Sequence, residues 1–281
     1  MELEVRIRPN KALALVDFGE LWRYRDLLSV LVWRDFATRY KQTLLGPIWF
    51  LIQPILPTVV FTLIFNKMAG LSTDGLPAFL FYLCNQIAWG YFSGNFSAIS
   101  GTLLTNMNLF SKVYFPRIVV PLSTLVSSLV TLGIQLLLFF GCYVYYKFFT
   151  TTGAGLQPTA AMLLLPLVVV QLAGMSLGFG LWMAAVTAKY RDLQQISGVI
   201  IQLWMYGSAV VFPLSQIPAK YQTLVSLNPV TFTSEATRYC LLGHGTLSWG
   251  AGVYSVAVTV AVVLSGLWIF NRTARTYVDI A

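Results

Sequence analysis

Charge is scarce in this chain of 281 residues: Asp, Glu, Lys and Arg together make up 10%, where soluble domains carry roughly 25%. Histidine occurs once and cysteine three times. His244 stands between two glycines in a polar stretch, the setting of a solvated loop residue, not of a ligand or base. Cys84, Cys142 and Cys240 have neither metal-ligand nor redox spacing and read as packing residues. No Asp, Glu, His or Lys falls inside the long apolar stretches, which disfavours proton-coupled carriers and intramembrane enzymes. Sodium sites built from backbone carbonyls escape that exclusion. No GxxxxGK[ST] occurs, so the chain has no P-loop for ATP. The opening MELEVRIRPNKALAL has neither the apolar centre nor the small-residue cleavage site of a signal peptide, and is expected to persist as a cytoplasmic extension. Asn95-Phe-Ser and Asn271-Arg-Thr match a glycosylation pattern, but both fall within or at the cytoplasmic end of an expected span and read as chance matches.

What the chain has is apolar length. Hydrophobic residues make up 57%, and mean hydropathy is +0.72. A helix needs about 20 mostly apolar residues to cross a hydrocarbon core. Six windows free of charge qualify, placing spans at about 45–66, 77–98, 119–146, 159–185, 193–212 and 251–270. Runs such as VVPLSTLVSSLVTLGIQLLLFF lack the alternation of a membrane β-barrel, so the expected fold is an all-α polytopic membrane protein. With these spans, 14 of the 18 Lys and Arg lie on the side of the termini, which makes both termini cytoplasmic. The same topology explains the net charge of +8 without nucleic acid.

Helical faces and connections carry the rest. Tyr82, Gln86, Trp89, Ser93 and Phe96 recur on one face of the second span, mixing aromatic with polar groups. Ser123, Ser127, Thr131 and Gln135 fall four apart on the third, a pattern of interhelical hydrogen bonding. Gly90/Gly94 and Gly174/Gly178 have the GxxxG spacing that permits close helix approach. Between spans five and six, PLSQIPAKYQTLVSLNPVTFTSEATRYCLLGHGTLSW is too interrupted to cross and reads as two short helices dipping into the outer leaflet. Near the start, Leu21, Tyr24, Leu28, Leu31 and Val32 oppose Arg23, Asp26 and Arg34, an interfacial amphipathic helix that ends or turns by Arg39. Pro47 suits a helix start, while Pro54 and Pro57 are expected to bend the first span and free backbone carbonyls.

Four ordered segments carry a family resemblance: WRDFATRYKQTLLGPIWFLIQPILP, NMNLFSKVYFPRIVVPLS, VTAKYRDLQQ and LNPVTFTSEATRYCLLG. From Leu27 onward the chain resembles the membrane subunit of ABC-2 type ATP-binding-cassette exporters, especially those of O-antigen, capsular polysaccharide and teichoic acid. The resemblance implies a homodimer in the bacterial inner membrane, joined by two ATPase subunits that hold ATP and magnesium, with no cofactor in this chain. It implies a conduit at the dimer interface lined partly by Trp49, Gln53, Tyr82, Gln86, Trp89 and Ser93. The cargo implied is a glycan on a polyprenyl pyrophosphate, whose head meets Arg39 and Lys41 at the cytoplasmic entrance. ATPase coupling is assigned to Asn106, Asn108, Ser111 and Lys112, and to Lys189, Tyr190, Arg191 and Asp192. An outer gate is assigned to Asn228, Pro229, Glu235 and Arg238. Fold analogy does not fix a substrate, so an exporter of a drug or small lipid, and a non-transporting membrane scaffold, stay open at this point.

Overall fold

The computed structural model describes residues 18–40, 46, 48–113, 115–153, 156 and 159–280, without the side chains of Phe18, Arg39, Tyr40, Ser111 and 275–280. Among the described residues every regular element is helical. Helices α1 (Phe18–Arg23) and α2 (Arg25–Tyr40) precede α3 (Ile48–Phe61), which runs into a π-helical turn, Thr62–Met68. Next come α4 (Ala78–Ser100), the short α5 (Thr102–Thr105) and α6 (Met107–Lys112), and α7 (Val119–Phe149). A 3-10 turn, Ala160–Leu164, leads into α8 (Leu165–Lys189), then α9 (Leu193–Tyr206). Short α10 (Ala219–Ser226) and α11 (Pro229–Leu242) lead to the long α12 (Trp249–Ile280).

Among the described residues four segments are long and apolar enough to cross a membrane: Ile48–Met68, Val119–Phe149, Ala160–Lys189 and Trp249–Ala274. They match the first, third, fourth and sixth expected spans. The second, α4, has 23 residues and a length of about 35 Å, but Asn85, Gln86 and Asn95 dilute its hydropathy. It tolerates those amides because it is the bundle's inner helix, packed by α3, α7, α8, α9 and α11. The fifth differs from the continuous helix expected over 193–212. With 14 residues, α9 is about 21 Å long and falls short of a hydrocarbon core of about 30 Å. It ends because Asn228 Nδ2 takes the Gly207 carbonyl at 3.0 Å, and Pro213 follows six residues later.

The prolines of α3 act as their chemistry requires. Pro54 has no N–H for the Phe50 carbonyl, and Gln135 Nε2 of α7 donates to that oxygen at 3.2 Å. Thr58 Oγ1 donates back to Pro54 O at 2.6 Å. The freed carbonyl thus becomes an attachment between α3 and α7.

Two apolar cores sit at opposite ends. One gathers Phe61, Phe81, Phe92, Phe139, Met175 and Leu241 along α4. The other joins Leu31 of α2, Leu103, Phe110 and Phe115 near α6, Leu181 of α8, and Phe270 and Ala274 of α12. Leu21, Tyr24, Leu27 and Leu28 pack against this second core, so the amphipathic face expected near the start lies on protein. The reverse face is also partly apolar: Trp22 is 71% and Trp33 69% exposed. Asp35 fixes the helix to α7, accepting from Ser123 Oγ at 3.2 Å while paired with Arg34 at 2.7 Å.

Helix α8 lies close against α12 because Gly174 and Gly178 present no side chains there. A Cβ on Gly178 would stand 2.8 Å from the Val262 carbonyl carbon, and one on Gly174 would stand 2.9 Å from Thr259 Cγ2.

Candidate functional site

A cleft of about 640 Å³ opens between α3, α4 and α7. Helix α3 contributes Trp49 and Gln53; α4 contributes Gln86, Trp89, Gly90, Ser93 and Gly94; α7 contributes Ser128, Thr131 and Gln135. Among the described residues no charged side chain lines it. Gln86 is 8% exposed, and its Nε2 has no hydrogen-bond partner among the described residues. Asn95, also at the wall, has neither amide atom hydrogen-bonded among the described residues. Buried amides without partners are costly in an apolar medium. The α4 floor is bare: a Cβ on Gly90 or Gly94 would meet nothing within 4 Å. Aromatic faces, amides and hydroxyls without net charge suit an uncharged ligand rich in hydroxyls.

Five of the six residues expected on a path, Trp49, Gln53, Gln86, Trp89 and Ser93, meet in this cleft. Tyr82 does not. It is buried one turn nearer the start of α4, its ring edge-on to Phe81 at 5.1 Å and to Phe61 at 6.0 Å, because the end of α3 packs onto α4 there. Ser128, Thr131 and Gln135 complete the opposite wall, although the α7 stripe was expected to serve helix packing. Gln135 does both, lining the cleft while holding the Phe50 carbonyl. The signal available for the glycine floor was that Gly90 and Gly94 share the helical face of Gln86 and Ser93.

The residues assigned to an outer gate form a closed polar knot. Asn228 is the N-cap of α11, its Oδ1 accepting from Val230 N at 3.1 Å and from Trp204 Nε1 at 3.0 Å. Its Nδ2 donates to Gly207 O and to Ser208 Oγ, so all its capacity is used, three bonds on the end of α9 and one on α11 itself. Pro229 occupies the first helical position, where its missing N–H is harmless. Glu235 and Arg238, each with a side chain 1% exposed, pair at 3.1 Å one turn apart. Glu235 also accepts from Leu214 N at 3.0 Å and Thr246 N at 2.9 Å, tying the segments before and after α11 to one carboxylate. Arg238 donates to Ala209 O at 2.8 Å and lies 4.4 Å above the Phe81 ring. Gly243, at φ 74°, ends α11 in the left-handed conformation that glycine favours.

The two loops assigned to ATPase coupling meet at one end of the bundle. Thr187 Oγ1 donates to Ser100 O at 2.7 Å, and Gln194 lies against Gly101. Asn106 Nδ2 turns inward to Thr102 O at 3.1 Å and Thr105 Oγ1 at 3.0 Å. Asn108, Lys112 and Lys189 to Asp192 are exposed beside them, with Lys189 Nζ 5.2 Å from the Tyr190 ring. The side chains of Arg39 and Ser111, and the whole of Lys41 and Pro47, lie outside the described residues.

The sequence profile of the ABC-2 type transporter family matches residues 26–242. Among individual proteins, the chain is 30% identical over 262 residues to the O-antigen export system permease protein RfbA of Myxococcus xanthus, covering 92% of this chain and 97% of that one. It is 23% identical to the polysialic acid transport protein KpsM of Escherichia coli, covering 87% and 92% of the two chains. The capsule polysaccharide export inner-membrane protein CtrC of Neisseria meningitidis is 19% identical, covering 94% of this chain and 98% of its own.

Proposed function

Since the chain belongs to the ABC-2 type transporter family, we propose that it is the permease subunit of an exporter that moves a lipid-linked polysaccharide out of the cytoplasm across the bacterial inner membrane. The observation that carries the substrate class is the cleft's lining of Trp, Gln, Ser and Thr without charge. Sugar rings offer apolar faces to aromatic side chains and hydroxyls to amides. A drug or lipid tail would instead leave the amides of Gln86 and Asn95 unmatched. The relatives named for O-antigen and capsule export support the same class.

In this reading two copies of the chain face each other with their clefts toward a shared path, and two ATPase subunits bind below. The energy source lies in those partners, because no P-loop occurs here; they hold the ATP and magnesium. Six helices serve as spans, with α9 completing its crossing through the turn at 207–212, and α10 and α11 entering the outer leaflet from outside. The adjoining loops around Asn108, Lys112 and Lys189 to Asp192 receive the ATPases. Exposed Trp22 and Trp33, with Arg25 lying 5.4 Å above the Trp22 ring, set α1 and α2 in the cytoplasmic headgroup layer. Arg39 and Lys41, next along the chain, meet the pyrophosphate at the entrance.

Deleting the gene in its source organism and fractionating the lipid-linked glycan tests this reading. Glycan retained inside and lost from the surface, restored by the gene in trans, is the expected result. Normal surface glycan in a strain with no second exporter overturns it in favour of a smaller cargo.

A further inference from the structure

Glycine in a membrane helix has a structural reason where a second helix presses on it, as α12 does on Gly178, where an added Cβ would stand 2.8 Å from Val262. Gly90 and Gly94 have no such neighbour among the described residues. They are exposed on the α4 floor of the cleft, and a Cβ on either would meet nothing within 4 Å. The bare strip shares the cleft lining with Trp49, Trp89 and Gln86, whose buried Nε2 is unpartnered among the described residues. A strip of small residues alone would signify only space, but this one adjoins an amide lacking a partner.

We propose that Gly90, Gly94 and Gln86 form a subsite for a single uncharged sugar ring of the passing chain, in which the glycines set the bore and Gln86 reads a hydroxyl. This rests on the glycan-export reading and adds to it a residue-level basis for selection. The ring stands on edge against the bare backbone of α4, close enough for the Gln86 amide to bond a hydroxyl, while Trp49 flanks one face. A side chain at position 90 or 94 would fill that volume, and the Gln135 amide across the cleft is already engaged on the Phe50 carbonyl. Among the described residues no cation lines the cleft, so the subsite suits the uncharged sugar and not the pyrophosphate. Selection here therefore concerns the glycan and not its lipid carrier.

The test uses the full chain with its ATPase partner in the deletion strain, comparing Gly90→Ala, Gly90→Leu and Gln86→Leu. Three quantities are measured: surface glycan, self-association by cross-linking, and co-purified ATPase. Gly90→Leu should lower surface glycan by about tenfold or more, with Gly90→Ala intermediate. Gln86→Leu, which adds no bulk, should lower it by about three- to tenfold. Self-association and ATPase capture should stay at the wild-type level in all three. Wild-type export by both Gly90→Leu and Gln86→Leu overturns the subsite while leaving the deletion result, and so the export reading, intact. Loss of self-association in Gly90→Ala overturns it too, making the strip a seam between two copies of the chain.

Discussion

Glycines four apart occur on both α4 and α8, and the two pairs meet opposite surroundings. Gly174 and Gly178 are pressed against α12, with Thr259 and Val262 inside the distance a side chain would need. Gly90 and Gly94 look onto a cleft. The polar groups nearby divide in the same way. Asn228 and Glu235 spend their hydrogen-bonding capacity on named partners around α11, whereas Gln86 leaves its Nε2 without one among the described residues. In a medium that offers no water, a satisfied polar group is scaffold, and an unsatisfied one at a cleft wall waits for a ligand. The same four-residue spacing thus carries either meaning, and only the neighbours distinguish them.

The sharpest way to break the scaffold side is Arg238→Met, which strands the Glu235 carboxylate in the interior. It should destabilise the protein by about 3–5 kcal/mol, visible as a lowered unfolding midpoint in detergent. Glu235→Gln, which keeps a carbonyl acceptor for one of the two loop N–H groups, should lose less. Gly178→Ala should cost about 1–3 kcal/mol by forcing α8 from α12, and the same assay applies. Gln135→Leu removes the donor from the Phe50 carbonyl and should cost about 1–3 kcal/mol. Hydrogen exchange should quicken in α3 around residues 50–54. Gly90→Ala should be the mildest for stability, neutral or stabilising by up to about 1 kcal/mol, since it adds helix propensity without a clash. A midpoint lowered as much by Gly90→Ala as by Gly178→Ala would erase the contrast between the pairs.

Much of the architecture was legible because bilayer crossing demands length and apolarity, both of which are visible in one dimension. Charge-free windows located α3, α7, α8 and α12 to within a few residues. The end of α9 was hidden because it depends on Asn228, which reaches back from 21 residues later in the chain. Tyr82 was drawn into the stripe by its periodicity, but periodicity cannot register that the C-terminal end of α3 covers that turn. The cleft was half legible. The α4 face showed its mixture of aromatic and amide groups, while the α7 wall resembled ordinary interhelical bonding until Gln135 was seen to serve both roles. Glu235 and Arg238, one turn apart in an otherwise uncharged helix, carried a spacing that suits an internal pair.

Photo-crosslinking from a reactive residue placed at Ser93 tests most directly whether the unsatisfied face carries cargo. During export in living cells, the probe at position 93 should yield a ladder of glycan adducts that disappears when the partner ATPase is inactive. Cross-links to phospholipid or to a second copy of the chain alone, with export continuing, would contradict a glycan path through the cleft.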